Sequence, residues 1–221
     1  PNTFANKGAF EKAVEPGTAT INPVFNNQGT VQVTRGTLEL RGGGVQSGGF
    51  NYALGSMLTI AAGTYQLNGG ASFAGAGKLD IAAGVVPVNG NVQVNNLDFM
   101  GGSIGGPGTL VLMGNASWSG GLMGDNGVTL LGTVATLNAT GSSTKTLDAR
   151  TFDNYGIFNV DSNMLYMSNQ ATFNNKFDGE WHLLGDYTVH SSGATPNTNL
   201  NSGTVHKHLG SGAAIFEPAF D

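Results

Sequence analysis

Apolar and polar residues alternate in short bursts along most of this chain. Examples are TVQV at 30–33, TLEL at 37–40, MLTI at 57–60, TYQL at 64–67, KLDI at 78–81, VPV at 86–88, TLVL at 109–112, MLYM at 164–167 and EWHL at 180–183. A period of two predicts half-buried β-strands. Each burst is bounded by Gly, Asn or Asp. The lead-in recurs as Gly36-Thr37-Leu38, Gly63-Thr64-Tyr65, Gly77-Lys78-Leu79 and Gly108-Thr109-Leu110, and its glycine is expected to supply a positive φ for the bend. Only GAFEKAVEPG at 8–17 leaves a short helix open, and the same letters also fit a strand.

Strands this short and this regular fit a sandwich, a barrel or a solenoid. A recurring corner signature favours the solenoid: an aromatic, an asparagine two residues later and a glycine two after that. It occurs as Phe25, Asn27, Gly29, again as Phe152, Asn154, Gly156, and in FANKG at 4–8. The aromatic is expected to point inward. The asparagine would stack on its equivalents in neighbouring coils and bind turn amides, and the glycine would make the bend. Val31 and Val33 would then fill the interior, with Gln32 outside. The predicted fold is all-β: a single-stranded parallel β-helix (β-solenoid), taken as right-handed. At ~20 residues per coil it would have about ten or eleven coils and a length of roughly 50 Å.

A longer repeat lies over this one. Residues 203–221, GTVHKHLGSGAAIFEPAFD, align without a gap on residues 8–26, GAFEKAVEPGTATINPVFN, an offset of 195 residues. Gly203, Lys207, Gly212, Pro218 and Phe220 match Gly8, Lys12, Gly17, Pro23 and Phe25. Residues 1–221 therefore read as one solenoid domain that forms one unit of a tandem array. Pro1 stands in mid-pattern and no signal-peptide pattern precedes it, as expected of a segment of something longer.

Composition narrows the function. Charged residues make up 10% of the chain against roughly 25% in an average globular protein, and 36 of 221 residues are glycine. The net charge is −5, with nine Lys and Arg scattered along the chain, so no cationic cluster suggests a nucleic-acid partner. The absence of cysteine excludes disulfides, thiolate metal ligands and Cys nucleophiles. No apolar run approaches the ~18 residues of a membrane span, so no membrane insertion is expected.

Candidate chemistry is sparse. All four histidines fall between 182 and 208. Alternation puts Glu180, His182, Asp186 and His190 on outward positions and gives His206 and His208 a shared face. Stacked strands would bring imidazoles and carboxylates together as a zinc-type site requires; the competing reading is a solvated polar face. Asp148, Arg150 and Asp153, and Asp178, Glu180 and Asp186, are the acid clusters that a polysaccharide-cleaving enzyme would need, but neither carries a motif, and turn-forming Asp is the simpler account. GGSIGGPG at 101–108 lacks the Lys and helix of a phosphate loop, so its glycines read as turn glycines. Trp118, Trp181 and tyrosines 52, 65, 155, 166 and 187 could offer sugar-stacking surface, although Tyr65 and Trp181 follow inward positions. No catalytic residue and no cofactor is expected.

The succession FNNQGTVQVTRGTLELRGGG, GSMLTIAAGTYQLNGG, GAGKLDIAAGVVPVNG and GGSIGGPGTLVLMGNASWSGG resembles the Gly-rich repeat regions of large secreted bacterial surface proteins, the adhesin-like and autotransporter-passenger-like chains. The resemblance covers residues 1–141 well and 142–221 loosely. It implies a parallel β-helix, extracellular or cell-surface display, and no catalytic residues. The expected partners are neighbouring repeats or copies of the chain end to end, and surface glycans. The alternative function is a carbohydrate-binding or polysaccharide-cleaving β-helix.

Overall fold

In a computed structural model, the chain winds into a parallel β-solenoid of about ten turns. The structure describes residues 2–161 and 164–221; among these are thirty-two strands of two to five residues and no helix. Each turn contributes one strand to each of three faces, and every strand pairing is parallel. Face one is an eleven-stranded sheet that starts at Ala9–Lys12. Face two is a ten-stranded sheet that starts at Thr18–Ile21. Face three consists of a four-stranded sheet from Thr3–Asn6 to Tyr65–Leu67 and a seven-stranded sheet from Val85–Pro87 onward, joined by the bridges Thr64 to Val85 and Leu67 to Val88. One turn takes from 18 residues (Asn91 to Thr109) to 27 (Thr188 to Ile215). At ~4.8 Å per turn the rod is roughly 50 Å long.

The predicted bursts are strands. Thr30–Val33, Thr37–Leu40, Met57–Ile60, Lys78–Ile81, Thr109–Leu112 and Glu180–Leu183 agree to the residue. The ambiguous segment 8–17 forms the strand Ala9–Lys12 and then a turn. Register keeps each inward position above the last. On face two, Leu38, Leu58, Leu79 and Leu97 form one column, and Leu40, Ile60, Ile81 and Phe99 form a second. All eight are buried, and each stabilises the fold by about 1.5–3 kcal/mol. Aromatic rings follow the same rise. Phe50 and Phe73 stack at 4.9 Å with planes 6° apart, and Phe152 and Phe173 at 5.1 Å and 4°. The inter-strand spacing thus also sets an offset stacking distance.

The corner residues form ladders. Phe25 and Asn27 are fully buried, as are Phe152 and Asn154. Asn6 Nδ2 donates to Asn27 Oδ1 at 2.8 Å and to the Thr30 carbonyl. Asn154 Nδ2 donates to Asn175 Oδ1, and Asn175 Nδ2 to Asn201 Oδ1, each at 2.8 Å. Asn154 Oδ1 also accepts the Gly156 amide. Gly29 lies in the bend after Asn27, without a positive φ. A Cβ there would lie 2.0 Å from the Gly8 carbonyl oxygen of the turn below, and it is the stacking of corners that excludes a side chain. Gly36 and Gly63 do carry positive φ, whereas Gly77 and Gly108 do not.

The repeated segments occupy different faces. Ala9–Lys12 begins face one, whereas Thr204–Lys207 ends face two, nine turns and one face later. Their local structure is nonetheless similar. In both, a four-residue strand ends in an irregular turn, and a lysine ammonium caps the turn by donating to carbonyls: Lys12 to Glu15, and Lys207 to Leu209 and Gly210. The two asparagine ladders are displaced in the same way. Asn6 and Asn27 end strands of face three, whereas Asn154, Asn175 and Asn201 end strands of face one.

Candidate functional site

The outward residues of face two form one continuous polar file. Register places Glu39 beside Thr59, then Asp80, Asp98 and Ser117, and further along Asn138, Asn159, His182 and His206. Hydrogen bonds run along this file: Thr59 Oγ1 donates to Asp80 Oδ2 at 3.2 Å, Ser117 Oγ to Asp98 Oδ1 at 2.8 Å, and Asn159 Nδ2 to Asn138 Oδ1 at 2.8 Å. The file is acidic in its first half and imidazole-rich at its far end.

Asp80 and Asp98 were not singled out from sequence, and they form an acid pair across adjacent turns. They are register neighbours, and Lys78 Nζ binds Asp98 Oδ2 at 2.9 Å. A depression of about 380 Å³ beside them is lined by Leu54, Met57, Lys78 and Asp98. Burial pushes the Asp80 carboxyl above its ordinary 3.8; Thr59 opposes this and the Asp98 charge adds to it. Folded Asp80 thus holds its proton more tightly than the unfolded chain does, so its contribution to stability falls as pH rises above about 3.8. Asp80→Asn should therefore raise stability at pH 7 by on the order of 1 kcal/mol, and the gain should vanish in urea melts below pH 3.8. A loss of stability at pH 7 would refute this account.

The other candidates separate. Glu180, His182, His206 and His208 converge on one surface: His182 lies 4.6 Å from His208 and 5.2 Å from His206, ring centroid to ring centroid. Asp186 is engaged elsewhere, accepting Lys207 Nζ at 2.7 Å and the Gly212 amide at 3.0 Å. The Lys207 hydrogen bond holds its carboxyl below the usual carboxylate range. His190 lies on face three, stacked on Tyr166 and facing Glu217. Arg150 is not a surface cation beside Asp148 and Asp153. It is buried inside the rod, where burial lowers its pKa to about 10 while Asp125 opposes the shift. Asp148 instead accepts Ser168 and Asn169, and Asp153 accepts Asn174 and pairs with Lys176.

Trp118, Trp181, Tyr52 and Tyr65 are core residues and present no sugar-stacking surface; Tyr155, Tyr166 and Tyr187 remain near the surface. The glycine-rich run 101–108 is more than a turn. Ser103–Gly105 is a strand of face three, and the Gly106 amide donates to Asp125 Oδ2 at 2.6 Å. A Cβ on Gly105 would meet that carboxylate at 2.3 Å.

These features define the class of the protein as a parallel β-solenoid with polar outer files and a laddered interior. Compared with known protein families, with curated proteins and with solved structures, the chain gives no match.

Proposed function

We propose that this chain is a non-enzymatic structural module, one unit of a tandem β-solenoid array in an extracellular bacterial surface or filament protein of the adhesin-like or autotransporter-passenger-like kind. The observation that carries this reading is the relation between the two asparagine ladders. Shifted by the 195-residue offset, Asn6 falls on Asn201 and Asn27 on the rung after it. The ladder Asn154–Asn175–Asn201 would then run into the next copy without a break. The capped turns after Lys12 and Lys207 follow the same offset. The junction between copies would thus be another turn of solenoid, held by backbone ladders and buried amides.

The mechanism is mechanical. Parallel hydrogen bonds run along the rod and apolar columns lock its interior. A terminal turn without a neighbour presents strand edges that template further pairing. The isolated chain should therefore self-associate, and its sedimentation coefficient should rise with protein concentration. A stable monomer over a wide concentration range would count against the reading.

A further inference from the structure

The far end of the face-two file carries a group of ligand atoms that the interior ladders do not use. His182 in Glu180–Leu183 and His206 in Thr204–Lys207 are register neighbours, so their imidazoles leave the same face one rung apart. Alternation along the strands brings Glu180, two residues before His182, and His208, two after His206, to the same side. One nitrogen each of His182 and His206 and one oxygen of Glu180 all lie within 4.8 Å of one another. The His208 ring lies 4.6 Å from that of His182 and 5.5 Å from that of His206. Glu180 Oε2 stands 2.8 Å from His182 Nε2.

We propose that this cluster is a divalent transition-metal site of zinc type, with His182, His206, His208 and Glu180 as its four ligands. Three imidazoles and one carboxylate make a nitrogen-rich, borderline donor set. It suits Zn²⁺, with Cu²⁺ and Ni²⁺ as competitors, and does not suit Ca²⁺ or Mg²⁺, which take oxygen ligands. Tetrahedral zinc with bonds of ~2.0–2.1 Å places its donors roughly 3.3 Å apart. The Glu180–His182 separation is already near that distance, and side-chain rotation closes the rest. The rotation falls to the ligands that face solvent, since the Glu180 side chain is 47% exposed and His206 and His208 lie at the surface, while His182, 17% exposed, stays in place. The backbone below is fixed by the paired strands, so the spacing of the Cα atoms costs no ordering on binding. Asp186 and His190 contribute nothing, being held by Lys207 and by Glu217. The site does not depend on the array reading, and either can fail without the other.

The test titrates the metal-free 221-residue chain with zinc by calorimetry and with cobalt(II) by visible absorption. The expected result is one zinc per chain and an intense four-coordinate cobalt band. The double variant His182→Asn/His206→Asn should bind at least about 100-fold more weakly, whereas His190→Asn should bind like the parent. All these side chains point outward, so circular dichroism should be unchanged in each variant. No zinc-dependent heat, or an isotherm unaltered in the double variant, would overturn the site.

Discussion

Arg150→Met should destabilise the rod by about 3–5 kcal/mol, read as a large fall in the urea midpoint. The guanidinium is only 1% exposed and ties successive turns together. Nε donates to Thr129 Oγ1 at 2.9 Å, Nη1 to the carbonyls of Gly124 at 3.0 Å and Gly106 at 3.2 Å, and Nη2 to the Val128 carbonyl at 2.8 Å. Gly106 lies two turns below Arg150, and Thr129 is an inward residue paired with Phe152. Methionine would fill much of the same volume. It would leave three carbonyls and a buried hydroxyl without these donors, at about 1–3 kcal/mol for each group left unsatisfied. Arg35→Met, at an exposed position, is the control and should change stability by less than about 0.5 kcal/mol. A midpoint shift no larger than that of the control would show that this network contributes nothing.

Asn175→Ala should cost about 3 kcal/mol. Asn175 is the middle rung of its ladder: its Oδ1 accepts from Asn154, and its Nδ2 donates to Asn201 Oδ1 and to the Thr204 carbonyl at 3.0 Å. Alanine would remove all three bonds, leave Asn201 Oδ1 without this donor, and open a small cavity at a corner. The neighbouring Asn174 donates outward to Asp153 at 2.7 Å, and Asn174→Ala should cost less than about 1 kcal/mol. A rod made of stacked turns need not unfold in one step, so hydrogen exchange is the sharper measurement. The Asn175→Ala variant should lose protection first in the turns after residue 150, with turns before residue 100 retaining theirs. Equal losses at both ends, or equal costs for the two variants, would contradict the ladder's role.

Faces one and two were legible because their strands alternate. In TVQV, TLEL and KLDI the inward residue is aliphatic and the outward one polar, and the corner motif repeats with nearly constant letters. Face three was not. Gly44–Gln46, Ser103–Gly105 and Gly121–Met123 each contain a glycine where a side chain would mark the period. At Gly105 the missing side chain makes room for Asp125, a contact from the next turn that no local pattern announces. The interior position of Arg150 was not legible for a related reason. Its sequence neighbours Asp148 and Asp153 are polar, and only the stacked carbonyls of Gly106, Gly124 and Val128 turn its position into an interior one. The histidine group was readable as far as alternation reaches, since Glu180 and His182 share a face. Which other histidine joins them depends on strand order, which pairs His182 with His206 and sends His190 to another face. Asp80 and Asp98 left a signal that was overlooked: both stand between inward residues, in LDI and LDF.

The match between Ala9–Lys12 and Thr204–Lys207 runs one face past nine whole windings. A fibre of such copies would therefore turn each unit by about 120° relative to its predecessor, and any given patch would look in the same direction only at every third unit. Such a filament has no front or back. Whatever it grips, it would grip from three bearings around its circumference, so neither its hold on a surface nor its bundling with other filaments would depend on how it happened to roll.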